Sequence, residues 1–142
     1  MSAALEAYLD RLGLQHFRAH EVARFCAKVE RGVPNTVPPR TYWPRMARTL
    51  AVLDALRRSL GAPIIITSAW RGPEYNAATG GVPSSQHTEF RALDFACAKG
   101  SPIQWAARLK SMRGQTFIPG DGPSFVFRGG IGIYQERGFV HV

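Results

Sequence analysis

Ser84-Ser85-Gln86-His87-Thr88-Glu89-Phe90-Arg91-Ala92-Leu93-Asp94 carries an imidazole, His87, and a carboxylate, Asp94, with six residues between them. Its first half is small and polar and reads as a loop. Its second half runs into Phe95-Ala96-Cys97-Ala98, and Arg91 to Ala98 reads as a strand. A carboxylate inside an apolar strand is costly unless a cation or hydrogen-bond donors face it. A second imidazole, His141, lies in a final strand spanning Gly138 to Val142. Two imidazoles and one carboxylate are a common ligand set for a catalytic zinc, which takes three protein ligands and keeps a fourth position for water. His87, Asp94 and His141 are therefore the metal candidates. With His141 so distant in sequence, such a site depends on the whole fold.

Working outward, Leu5, Tyr8, Leu9 and Leu12 fall at helical spacing within Ala3 to Leu12, with Ser2 as cap and Gly13 as stop. His20 to Lys28 reads as a second short helix presenting Val22, Phe25 and Cys26. Three prolines between Gly32 and Pro39 mark a surface loop. The strongest helix is Pro44 to Leu60, where Met46, Leu50, Leu53, Leu56 and Leu60 form one apolar stripe suited to a core. Pro63 to Thr67 reads as a buried strand, and residues 71–86 as a long functional loop. Ser101 caps and Pro102 opens a helix to Met112. Phe125 to Phe127, Gly130 to Tyr134 and Gly138 to Val142 are strands with turn signals between them. The expected class is α+β: a single domain over residues 1–142, with an antiparallel sheet and helices packed on one side.

Composition narrows the function. The 142 residues are 45% hydrophobic and 20% charged, which suits one globular core. No stretch approaches the roughly 18 consecutive apolar residues of a membrane span, so no membrane insertion is expected. Cys26 and Cys97 sit in apolar surroundings without C-x-x-C spacing and read as buried thiols. The net charge of +8 comes from scattered residues such as Arg45, Arg48, Arg57 and Arg108. This field attracts polyanions, including an anionic cell wall, but no dense basic run or nucleic-acid motif points to a specific nucleic-acid partner. His16 and His20 lie in the helix-and-loop region upstream and read as structural.

Ser85-Gln86-His87, Ala92-Leu93-Asp94 and Phe139-Val140-His141-Val142 together resemble the zinc D-Ala-D-Ala carboxypeptidase family, whose fold is shared with hedgehog signalling domains. Ile65-Ile66-Thr67-Ser68-Ala69-Trp70-Arg71-Gly72-Pro73-Glu74-Tyr75-Asn76 is similar to that family's strand, Ser-x-Tyr-Arg and Pro-x-x-Asn signature. Gly80 to Ser84 matches its Gly-rich lead-in, and Gly129 to Tyr134 also fits. The resemblance covers nearly the whole chain in the family order. It implies Zn2+ held by His87, Asp94 and His141, with Arg71 facing the substrate. A guanidinium there can grip a carboxylate in two parallel bonds or stabilise an oxyanion; the alternative is a local pair with Glu74. Ser68, Ser85 and Gln86 are expected to bind substrate or to orient the imidazoles. Glu136, on the hairpin before the last ligand, is the expected general base, with Glu89 the other nearby acid; a solvated turn acid beside Arg137 is the plainer alternative. Trp70 stands where the family has Tyr and is expected to pack.

The chain departs from the family pattern in three places. Phe90 stands at the usual Gly, Gly138 at a common acid, and no Asp follows the last His. Phe90 is expected to tolerate positive φ poorly and to fill substrate space. Two readings follow. One is a zinc metallopeptidase of the D,D-carboxypeptidase or endopeptidase type, cutting D-Ala-containing peptidoglycan peptides. The other is a non-catalytic virion or wall-binding module that retains the peptidase fold. Glu6 and Asp10 interrupt the N-terminal apolar run, so no signal peptide is expected. That points to a virion-associated protein, or one held in the cytoplasm until lysis, with virion or tail proteins as partners.

Overall fold

The computed structural model describes residues 3–142, so the expected Ser2 cap lies outside the described residues. Helix α1 (Ala3–Asp10) buries Leu5 and Leu9, and Leu12 N–H closes the final turn on the Leu9 carbonyl. Helix α2 (His20–Ala23) tightens into a 3-10 turn over Arg24–Ala27. A two-residue hairpin follows, β1 (Val29–Glu30) with β2 (Val33–Pro34), inside what the prolines mark as loop. Helix α3 (Trp43–Leu60) buries Met46, Leu50, Leu53 and Leu56, the stripe that the sequence displays.

Strand β3 (Ile64–Ser68) is half-buried rather than buried. Ile64 and Ile66 face the core while Ile65 is 58% exposed. The reason is topological: β3, at the edge of an antiparallel sheet, packs one face on the core and leaves the other to solvent, so its side chains alternate between the two. Arg24 Nη2–H donates to the Ile66 carbonyl at 2.7 Å and so satisfies part of that edge. The expected loop over 71–86 also contains a helix, α4 (Pro73–Ala78). Pro73 at its first turn and Glu74 beside its positive end favour that start.

Next come a 3-10 turn over Gln86–Glu89, strand β4 (Asp94–Cys97) and helix α5 (Pro102–Ser111), which opens on a Ser101/Gln104 capping box. Strands β5 (Thr116–Phe117) and β6 (Phe125–Val126) pair as a small outlying ribbon. β7 (Gly132–Tyr134) and β8 (Phe139–His141) complete a sheet of order β3-β4-β8-β7, with every pairing antiparallel. Helix α5 lies against β7 and β8 beside α3. One core joins Leu53 and Leu56 of α3, Ile66, Phe95 and Val140 of the sheet, and Trp105 and Leu109 of α5. The architecture is the α+β class expected. Cys26 and Cys97 are free and half-buried, more open than expected, and burial still pushes the Cys26 thiol up to about 11. Among the described residues, no helix is long and apolar enough to cross a membrane.

Candidate metal centre

Strand register builds the site. Phe95 pairs with Val140 on the core side, so their neighbours Asp94 and His141, also paired, project from the opposite face. β3 would present Thr67 to Asp94 if its pairing were regular. Instead the register shifts between Ile66 and Ser68, and Ser68 is the residue opposite Asp94. A bulge re-aims side chains in this way, turning both Thr67 and Ser68 toward one cleft of about 870 Å³.

His87 reaches the same place from the 3-10 turn. Ser85 caps that turn, its Oγ accepting from His87 N–H at 3.2 Å. Arg71 N–H donates to the His87 carbonyl at 3.2 Å, which ties the turn to the segment after β3. The turn ends on Phe90, whose φ of 58° and ψ of 36° lie in the left-handed region. This locates the strain that the missing glycine implies. Phe90 is fully buried and packs edge-on against Trp70, so its ring fills core and is not on the cleft lining. The expectation that it fills substrate space is corrected. Burial of a large ring outweighs a backbone cost of about 1–2 kcal/mol.

The ligand atoms of His87, Asp94 and His141 all lie within 4.8 Å of one another. His141 Nδ1 is 2.8 Å and His87 Nε2 3.3 Å from Asp94 Oδ1. The second nitrogen of His87 decides what this means. Nδ1 lies 2.7 Å from the Ala69 carbonyl, which can only accept, so Nδ1 carries the proton. In the neutral imidazole Nε2 then turns a lone pair toward a carboxylate oxygen. Two acceptors at that distance require a cation between them, either a proton or a metal. Ligands about 2.0–2.2 Å from a shared zinc lie within about 4 Å of each other; both distances to Asp94 meet this and the whole group comes within 4.8 Å, so the three side chains could hold a metal. Asp94 itself is buried. Burial alone would raise its pKa, but in metal-free protein a proton shared with His141, and then one shared with His87, outweighs it and holds the carboxyl down at about 2.

Arg71 lines the cleft with its guanidinium steadied by neutral groups: Nη2–H donates to Ser68 Oγ at 3.2 Å and Nη1–H to Asn76 Oδ1 at 3.4 Å. Among the described residues it enters no ion pair, so the alternative partner Glu74 does not hold it. Ser68 supports Arg71, Ser85 supports the turn, and the Ala69 carbonyl rather than either hydroxyl sets the His87 tautomer. Gln86 lines the cleft and is exposed. Glu136 sits on the exposed β7–β8 turn and is not on the cleft lining, whereas its neighbours Tyr134, Arg137 and Phe139 are. Glu89 pairs with Arg91 and Arg45 away from the triad. Asp94 is the one carboxylate lining the cleft among the described residues. At Gly138, where an acid is common in the family, φ is +77°, a turn conformation that favours glycine. His16 and His20 are exposed and do not line the cleft.

Sequence reasoning missed Asn35. It is buried in the proline-marked loop, donates to the Phe25 and Trp70 carbonyls and accepts from Gly72 N–H, each at 2.8–2.9 Å. That clamp fixes the backbone on both sides of Arg71. Asn76, quoted within the Pro-x-x-Asn motif, has a similar use: its Nδ2–H holds the Val82 carbonyl at 2.8 Å. A Cβ at Gly81 would come within 2.2 Å of the Asn76 Oδ1, so the glycine-rich lead-in permits this close approach.

The family model described as Peptidase M15 matches residues 15–142. The chain belongs to the peptidase M15 family. Comparisons with curated proteins and with solved structures returned no match. The M15 peptidases are zinc-dependent hydrolases, and in this M15 chain the His-Asp-His group is the place that could hold the metal. Everything from Gln15 onward, including Arg71, the 3-10 turn and both terminal strands of the sheet, falls within the family match.

Proposed function

We propose that this M15 chain is a zinc metallopeptidase that hydrolyses D-Ala-containing peptides of bacterial peptidoglycan. The observation that carries the proposal is the fixed tautomer of His87, whose unprotonated nitrogen faces Asp94 and leaves a cation-sized demand between them. His87, Asp94 and His141 would hold the ion. Bound there, zinc would supply a water of lowered pKa and polarise the scissile carbonyl.

The chain's own residues orient the reactants. Ala69 holds His87 in one tautomer through its carbonyl, and the β4–β8 pairing sets Asp94 against His141. Arg71 is pre-positioned by Ser68 and Asn76 with no carboxylate partner among the described residues, ready to grip a substrate carboxylate in a two-point bond. Lys28 and Arg137 add positive charge to the same cleft, which suits an anionic stem peptide. Glu136 could serve as base only by a folding of its hairpin over the triad. The net charge of +8 favours an anionic wall, and a phage particle or a lysing host, with virion or tail partners, is the setting this reading implies.

A second reading has one observation in its favour. Asp94 is the one carboxylate on the cleft among the described residues, so no second acid stands ready to move a proton. A virion or wall-binding module that has lost catalysis would look the same. Purified peptidoglycan and a D-Ala-D-Ala-terminated peptide, incubated with added zinc or with a chelator, separate the two. Zinc-dependent release of peptide ends is expected; wall binding without hydrolysis under either condition would assign the chain to the module.

A further inference from the structure

A second positively charged surface extends away from the metal cleft. One cavity of about 630 Å³ is lined by Arg45, Arg48, Arg91 and Arg128, and a neighbouring one of about 510 Å³ by Arg11, Arg45 and Arg48. Arg45, Arg48 and Phe125 line both, so the two cavities adjoin along α3 and form one surface with five guanidiniums. Two of these are engaged. Arg91 and Arg45 share Glu89 at 3.1 and 3.8 Å, and Arg45 Nη1–H donates to the Glu89 carbonyl at 3.2 Å, which steadies the turn that carries His87. Arg11, Arg48 and Arg128 are exposed and enter no ion pair among the described residues. Asp121 is the one acid on either lining among the described residues, so the surface stays positive even after Glu89 is counted.

The donors select among anions. Guanidiniums reach the larger cavity from α3, from the segment before β4 and from the loop after β6. On that loop Gly129 and Gly130 are exposed, line the cavity, and donate their N–H groups to no acceptor among the described residues. A tetrahedral phosphate accepts from several sides at once and takes backbone N–H groups as well as guanidiniums. Between the charges the lining is apolar, with Val52, Ala92 and Phe127 in one cavity and Leu12, Ala47 and Pro119 in the other. Arg45 and Arg48, three residues apart on α3, stand about 5–6 Å from each other at Cβ. Paired cavities of this kind suit repeating phosphates joined by short carbon spacers better than a single ion. Single-stranded nucleic acid would stack its bases on open aromatic faces. Here no Phe or Tyr on either lining is exposed: Arg48 covers Phe125 at 4.5 Å, Tyr8 packs against Trp43, and Phe127 is buried.

We infer that this arginine surface binds a linear polyol phosphodiester, the chemistry of an anionic cell-wall polymer, and anchors the chain there. Binding needs neither zinc nor Arg71, so the inference goes beyond the peptidase reading and does not depend on it. Where that reading holds, the anchor keeps the cleft close to wall peptides and raises their effective concentration.

The test titrates fluorescently labelled poly(glycerol phosphate) into the full chain at low salt, with and without a chelator. Saturable binding is expected in both conditions and should weaken steeply with salt, because each phosphate contact releases counterions. Arg48→Gln combined with Arg128→Gln should weaken binding about tenfold and lower the salt slope by about 1–2. Arg11→Gln alone, in the smaller cavity, should cost about threefold and gives a second reading of the same surface. Arg57→Gln combined with Lys110→Gln removes two charges that line neither cavity and should change affinity by less than about twofold. Circular dichroism checks that each variant is folded. Polymer binding by a chain that hydrolyses no peptide would uphold the anchor and sink only the peptidase reading. No binding at low salt overturns the inference. Equal losses in the two double variants do so too, since they would mark attraction by net charge alone. Polyglutamate or oligothymidylate bound as tightly as the polyol phosphate would also overturn it, marking a general polyanion or nucleic-acid surface.

Discussion

The turn that carries His87 and the hairpin that carries Glu136 flank the same cleft and are built in opposite ways. The first buries His87 and ends on the buried Phe90, is capped by Ser85, tied through the His87 carbonyl to Arg71 N–H, and has its imidazole fixed by Ala69. The second is exposed along its turn and closed by backbone bonds from Arg137 and Gly138 to the Tyr134 carbonyl. Groups meant to bind a metal must be held within a few tenths of an ångström, which only packing and hydrogen bonds on rigid elements provide. A group on an exposed turn can contribute only after it moves. The contrast teaches that the binding half of this site is preorganised and the acid half is not.

Arg71 belongs to the preorganised half, and disturbing it should have the largest effect. Arg71→Lys keeps the charge but loses the planar fork, so kcat/KM on a D-Ala-D-Ala peptide should fall by about 10²-fold. Steady-state kinetics with zinc in excess checks this; a change of less than about threefold would remove Arg71 from the substrate grip.

Phe90→Gly would restore the residue common in the family and relax the left-handed backbone, yet it deletes a fully buried ring. The lost packing, about 3–5 kcal/mol, exceeds the strain relieved, so denaturant unfolding should show a net loss of about 1–4 kcal/mol. A gain in stability would mean that the ring contributes little to the core beneath the turn.

Acid sensitivity comes next in size. The Asp94 carboxyl is held at about 2 against an ordinary 3.8. A depressed carboxylate pKa adds stability that is present above the unfolded value and lost as pH falls through the folded one. For metal-free protein, about 2 kcal/mol should therefore disappear between roughly pH 4 and pH 2. Urea midpoints across that range, compared with Asp94→Asn, test it; parallel curves would show that Asp94 gains nothing from the two imidazoles.

The smallest effect belongs to the exposed half. Glu136→Gln should leave stability within about 0.5 kcal/mol and hydrolysis near wild type, because its side chain is not on the cleft. A loss of about 10²–10⁴-fold would instead place Glu136 over the triad during turnover and reveal closure of the hairpin.

Much of this was readable in the sequence, for identifiable reasons. The α3 stripe, the Ser101-Pro102 helix start and the residues that became β8 carry strong periodic or capping signals. Asp94 stands out because a carboxylate in an apolar strand needs a partner, and the family resemblance joins His87 and His141 to it. The bulge at Thr67 did not show, since a register shift leaves no mark on composition. Helix α4 was hidden by the glycines and serines around it, although Gly72-Pro73-Glu74 is a proper helix start. Asn35 was lost among prolines, and a buried amide that clamps two distant carbonyls has no local signature. The exposure of Ile65 is hidden because a run of isoleucines reads alike in a strand buried on both faces and in one covered on a single face.

The central claim is that the three side chains hold one zinc ion, and metal analysis of the purified full chain tests it most directly. Zinc titration with a competing chelator, followed by elemental analysis of the dialysed protein, should give one zinc per chain for the wild type. His141→Ala, folded by circular dichroism, should retain none. A wild type that takes up no zinc at saturating concentration, or a His141→Ala variant that holds it as tightly, would contradict the account.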